Sequence, residues 1–301
     1  MIRQAVSLIS IFLICSQCYG QPVVEPANIK QLHILEDSLV SLSNKFINSE
    51  NEQDRKNANE LFIKTLDATL NIKGSFTYPF DSLRTISVQT SPDKHFRIFT
   101  WLIANQDSTF HYYGTIQTEN LALLPLNDFS SGIKHPEDSV TSAQKWYGAA
   151  YYKIVPVYYP KLYYVLLGWK PNNSATTKKV IDVLSFTNDK PVFGMPVFER
   201  GGKTKKRIIF EYTRQATMHL NYEQEKKIIV FDHLSPPNPG LKDHPETYGP
   251  DLSYDGYHLK IGKWIFSEDL DMKNLPDDHD IDYNDPKVLK EQDKATAKKA
   301  E

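Results

Sequence analysis

Between Gly74 and Phe76 the spacing of apolar side chains changes from three-and-four to two, and this change constrains the fold more than any other feature. Before it, residues 28–47 carry Ile29, Leu32, Leu35, Leu39, Leu42 and Phe46, which form one face of a helix. Ser49 and Glu52 then make a capping-box pattern ahead of a second apolar face, Ala58, Leu61, Phe62, Leu66 and Leu70, which Gly74 is placed to end. Two short amphipathic helices cannot stand alone in water, so the spacing predicts an αα-hairpin packed on the chain beyond Gly74.

After the change, alternation predicts strands at Thr85–Thr90, Phe96–Ala104, Phe110–Thr118, Tyr147–Val155, Leu162–Trp169 and Lys178–Phe186. Six more are expected at Pro191–Phe198, Arg207–Thr213, Met218–Tyr222, Lys227–His233, Tyr257–Ile261 and Lys263–Phe266. Turn residues separate them, as in Ser91-Pro92-Asp93-Lys94, Asn188-Asp189-Lys190 and Gly201-Gly202. No helical stretch intervenes, which excludes repeated parallel βαβ units and leaves an antiparallel meander. The fold class is therefore mainly β: a curved sheet, a sandwich or a partly closed barrel, with a small propeller as the alternative. The Pro- and Gly-rich stretch Ser235–Tyr254 is expected to cross one end of the sheet.

The two ends have other characters. Residues 1–20 read as an export signal, with Arg3, an apolar core from Ala5 to Ile14, and Cys18 and Gly20 ahead of a cut before Gln21. A lipid anchor on Cys15 or Cys18 is the rival reading. Both cysteines fall inside the removed segment, so the mature chain has none, and thiol catalysis, Cys-bound zinc and iron–sulfur chemistry are excluded. The expected organisation is signal 1–20, helical hairpin 21–74, β domain 75–266 and tail 267–301. The tail carries 11 acidic against 6 basic residues and loses both periods, the mark of a solvated, mostly disordered segment. Its Asp278-x-Asp280-x-Asp282 alternation lacks the glycine and glutamate of a calcium loop, since Tyr283 and Leu289 stand there.

Charge narrows the partners. Lys and Arg total 35 against 37 Asp and Glu, so there is no global basic footprint for nucleic acid. No run of about 18 apolar residues is long enough for a membrane span. The string Arg200-Gly-Gly-Lys-Thr204 echoes the end of a phosphate loop, but Val197 stands where its first glycine belongs and a strand comes after it. It reads as a basic hairpin tip.

Two constellations carry chemistry. Asp232, His233, Asp243, His244, Asp251, Asp255 and His258 bring carboxylates and imidazoles into one short stretch. Asp232, His233, Asp255 and His258 are the candidates for a general acid–base or metal-dependent hydrolase; turn-forming aspartates are the alternative. Neither a cofactor nor a metal is assigned, and no Gly-x-Ser-x-Gly elbow occurs. Residues 146–169 concentrate aromatic rings in a chain that is already 12% aromatic. Trp146, Tyr147, Tyr152, Tyr164 and Trp169 are the candidate ligand-binding rings for a glycan, a peptide or an envelope protein, with cross-strand packing as the alternative.

Several strings also look familiar together: FRIFTW (Phe96–Trp101), HYYGTIQ (His111–Gln117), WYGAAYYKI (Trp146–Ile154), YYVLLGW (Tyr163–Trp169), PVFGMPVF (Pro191–Phe198) and YGPDLSYDGYHLKIGKWIF (Tyr248–Phe266). The set resembles an uncharacterised family of exported hypothetical proteins from Bacteroidetes bacteria, a resemblance that implies a cell-envelope location and no activity. The expected function is a non-catalytic binding or structural protein with an aromatic-rich β surface; the alternative is the Asp/His hydrolase.

Overall fold

The structure, a computed structural model, describes residues 26–271. Residues 1–20, where an export signal is expected, and the tail beyond Asp271, with its calcium-like alternation, lie outside the described residues.

The helical lead is α1 (Pro26–Asn48) and α2 (Glu52–Leu70). Leu32, Leu39 and Phe46 of α1 are buried against Ala58, Phe62, Leu66 and Leu70 of α2, as the spacing predicts, whereas Ile29 and Leu61, expected on the same faces, are exposed. The cap is not where the capping box puts it. Asn51 caps α2, its side chain accepting from the N–H groups of Gln53 and Asp54, while Ser49 bonds back to Lys45 and closes α1. Gly74 does not end α2, which stops at Leu70 with Asn71 as its C-cap; at φ 93° Gly74 opens a separate turn, Ser75–Thr77.

The β region forms three sheets. The first joins β1 (Ser87–Thr90), β2 (Phe96–Ala104), β3 (Phe110–Thr118) and β4 (Leu123–Asn127) as a plain meander. The second has the order β5-β9-β8-β7-β6, from β5 (Thr141–Ser142), β6 (Ala150–Val157), β7 (Tyr163–Pro171), β8 (Thr176–Thr187) and β9 (Lys190–Phe193). The third is built from β10 (Phe198–Arg200), β11 (Lys203–Lys205), β13 (Leu220–Glu223), β14 (Ile228–Ser235), β15 (Gly249–Lys260) and β16 (Lys263–Ser267). The remaining strand, β12 (Ile208–Thr213), pairs with β8 and so belongs to the second sheet.

The sheets stack in the order in which the chain first enters them. Phe99, Trp101 and Ile103 of β2 point to the helices, while Phe96 and Ile98 point to the second sheet. Tyr164 and Leu166 of β7 meet that face of β2, and Tyr163, Val165 and Leu167 point the other way, onto Ile229, Phe231, Tyr257 and Trp264 of the third sheet. Period two thus gives each inner strand two buried faces, which is why β2 and β7 read as nearly continuous apolar runs. The result is four layers, one of helices and three of sheet. No barrel closes, and stacking face to face is a sandwich arrangement rather than the radial blades of a propeller.

Four expectations need correction. The meander is broken by the non-sequential pairs β5 with β9 and β12 with β8 and by the parallel pair β10 with β16. The expected strand Pro191–Phe198 is cut at Gly194, where φ is 88° and a Cβ would stand 2.5 Å from the Ser139 carbonyl oxygen; the chain leaves the second sheet there and enters the third. The stretch Ser235–Tyr254 is only partly loop, because β15 begins at Gly249 and pairs with Ser235 and Leu234. Short strands β4, β5 and β11 carry no readable alternation of their own.

Candidate functional site

The expected row of surface rings is mostly core. Trp146, Tyr147 and Tyr164 are buried, and Tyr152 is half-buried with its hydroxyl donating to the Leu220 carbonyl. Trp146 Nε1 donates to the Tyr151 hydroxyl, which donates in turn to Asp182; Arg207 Nε lies 2.8 Å from the same carboxylate. These rings fasten the second sheet to its neighbours. Trp169 alone of the five candidates is largely open, at 42% exposure. Among the described residues the most exposed tyrosines stand outside that set: Tyr158 and Tyr159, at 63% and 69%. They lie in the turn between β6 and β7.

That turn closes one end of a groove of about 870 Å³. Its floor is Lys153–Val157 of β6, the last strand of its sheet. One wall is Gln89, Thr90 and Pro92 beside the first sheet; the other is Tyr222, Leu259 and Ile261 of the third. The N-terminal half of the β6 edge is covered, because Tyr151 donates its N–H to Thr100 Oγ1 and its carbonyl accepts from Ser87. A bulge between Tyr151 and Lys153 then re-phases the strand. Pro156 has no N–H to give β7, so its backbone turns outward, and that of Ile154 turns outward with it. From Lys153 to Val157 the open edge runs about 17 Å, room for about five residues of extended chain.

The Asp/His stretch is only partly gathered. His233 Nδ1 lies 2.8 Å from Asp255 Oδ2, and its Nε2 is 3.9 Å from Asp251. Asp255 is buried and also accepts the Asp269 N–H. The hydrogen bond that Asp255 accepts from His233 Nδ1 raises the imidazole above its ordinary histidine value. Asp232 is engaged elsewhere, accepting the His219 N–H, and His258, on β15 opposite Ile228, has its imidazole pushed down by burial. Asp243 and His244 lie in the 236–248 connection, where His244 pairs with Glu246. Both imidazole nitrogens of His233 therefore face carboxylates, and the pair ties β14 to β15 and to the chain after β16. Among the described residues no group of His, Cys, Asp or Glu converges as a metal site. The basic hairpin tip is likewise occupied: Arg200 pairs with Glu268 and Lys205 with Glu137.

A second cavity, of about 500 Å³, is marked by no motif. Lys170, next to last in β7, is 4% exposed there, and its Nζ donates to the Gly148 carbonyl at 2.6 Å and to Ser130 Oγ at 2.9 Å. The ammonium lies 3.6 Å from the centre of the Tyr112 ring and 4.7 Å from that of Tyr147. Gly148 must be glycine, since a Cβ would meet Tyr112 Cβ at 2.3 Å. Asp128 orders the rim by accepting from the N–H groups of Tyr112 and Ser130 and from the Ser130 hydroxyl, with His111 Nδ1 3.8 Å away. One signal in the sequence does reach Lys170: it has the parity of Tyr164 and Leu166, so period two turns it inward.

No known protein family, curated protein or solved structure matches the chain. Its function is therefore argued from its own geometry.

Proposed function

We propose that this protein is a non-catalytic binding protein that receives an extended peptide along the open edge of β6. The observation that carries the proposal is the stretch Lys153–Val157, paired to β7 on one side and bearing no further strand on the other, at the floor of a long groove with Tyr158 and Tyr159 projecting at its end. An edge strand offers main-chain groups that a peptide can pair with, and groove walls then select alternate side chains. The neighbouring rings add apolar contact at one end of the bound strand. In keeping with the reading of residues 1–20, the ligand is met in the cell envelope, as a segment of an envelope or secreted protein. Mass spectrometry of the native protein is expected to find Gln21 at its N-terminus; an acylated cysteine would mean a lipid anchor instead.

The binding test is a displayed library of random peptides, panned on the folded chain. Peptides that bind are expected to lose at least about tenfold in affinity when alternate backbone nitrogens are methylated, and again when Tyr158 and Tyr159 are both changed to Ala. Binding insensitive to both changes, or no binder recovered, would contradict the proposal.

A further inference from the structure

The Lys170 cavity shares no lining residue with the β6 groove, so what it does stands apart from peptide binding. Both polar contacts of Lys170 are neutral oxygens, and among the described residues no carboxylate pairs with it directly. A buried ammonium with no ion partner is costly, and the amine lowers that cost by giving up its proton. Burial, helped by Lys178 and Arg207 and opposed by Asp128, pushes Lys170 down to about 7. In the neutral amine the two N–H groups still serve Gly148 and Ser130, which leaves the lone pair as the fourth position around nitrogen. Tyr112 and Tyr147 supply flat walls beside it, and His111 stands half-exposed among the lining residues.

We propose that Lys170 is a nucleophilic amine that captures a small aldehyde or ketone in this cavity as an imine. The Nζ lone pair forms the C–N bond while the carbonyl π pair moves to oxygen, which takes a proton as nitrogen releases one. The C–O bond of this carbinolamine then breaks, its oxygen leaves as water after a second protonation, and nitrogen forms the C=N bond and releases its second proton, so the two protons taken up are given back. Water at the open rim of the cavity takes up and supplies these protons. Nothing is oxidised or reduced, and no co-reactant beyond the carbonyl compound is consumed.

The test treats the full native chain with 4-carboxybenzaldehyde and cyanoborohydride between pH 5.5 and 9, then maps adducts by peptide mass spectrometry. At pH 7 the Lys170 adduct is expected to exceed the median of the other lysines by at least about tenfold, because ordinary lysines stay protonated to about 10.4. Its yield should rise with a midpoint near 7. Lys170→Arg should remove the neutral-pH adduct. Modification of Lys170 no faster than that of surface lysines, or only after unfolding in urea, would overturn the proposal, as would persistence of a dominant neutral-pH adduct in K170R.

Discussion

Residues in this chain are asked to do two things at once, and His233 is an instance. It sits on β14 with Asp255 on one nitrogen and Asp251 facing the other. Because Asp255 favours the imidazolium, the folded chain keeps its proton to a higher pH than the unfolded chain does. The stabilisation is therefore complete below the ordinary histidine value of about 6.5 and is lost as pH rises through the elevated folded value. Urea unfolding between pH 5 and 8.5 should show this decline, and His233→Gln should flatten it. His233→Ala should also lower stability by about 1–3 kcal/mol, by leaving Oδ2 of the buried Asp255 carboxylate without its imidazole donor. A catalytic histidine would behave otherwise, with stability nearly unchanged on its removal.

At the scale of elements, legibility in the sequence depends on what covers a strand. Strands β2 and β3 are predicted residue for residue because turn chemistry closes each end, Ser91–Lys94 before β2 and Asn105–Thr109 between them. Strands β4, β5 and β11 are not: β5 has two residues and pairs with the distant β9, β11 has three, and β4 carries Pro125 at its centre, which reads against a strand. The aromatic segment shows the same limit. Period two says that Trp146, Tyr147 and Tyr164 point to faces, but not that a further sheet lies over each face. The site is the least legible part: an open strand edge is a property of sheet order, and Lys170 becomes notable only when Tyr112 and Gly148 close around it. The helical hairpin is a case where the stripe suffices. Leu66 is buried between α2 and its neighbours, so Leu66→Asp should cost several kcal/mol and lower the melting temperature sharply. Unchanged melting in this variant would mean that α2 is not docked.

At the scale of the whole molecule, the four layers place the second sheet inside, covered on both faces. Its buried Asp182–Arg207 pair ties β8 to the start of β12, and Arg207 Nη1 reaches across to the Pro136 carbonyl. Removing one partner leaves an uncompensated charge, so Asp182→Asn should cost about 3–5 kcal/mol in urea unfolding. The double change Asp182→Leu with Arg207→Met should cost less than either single change, because both desolvation penalties disappear together. An inner sheet this well covered leaves few places for a partner to add a strand, and β6 beyond its bulge is where the covering stops. Amide hydrogen exchange measures that claim directly. In the free chain the outward Ile154 N–H should exchange faster than the N–H groups of Lys153 and Val155, which face β7. On adding a library-selected peptide, Ile154 should slow by at least about tenfold while the interior of β7 stays as it was. Protection confined to other surfaces, with Ile154 unchanged at saturating peptide, would contradict the account.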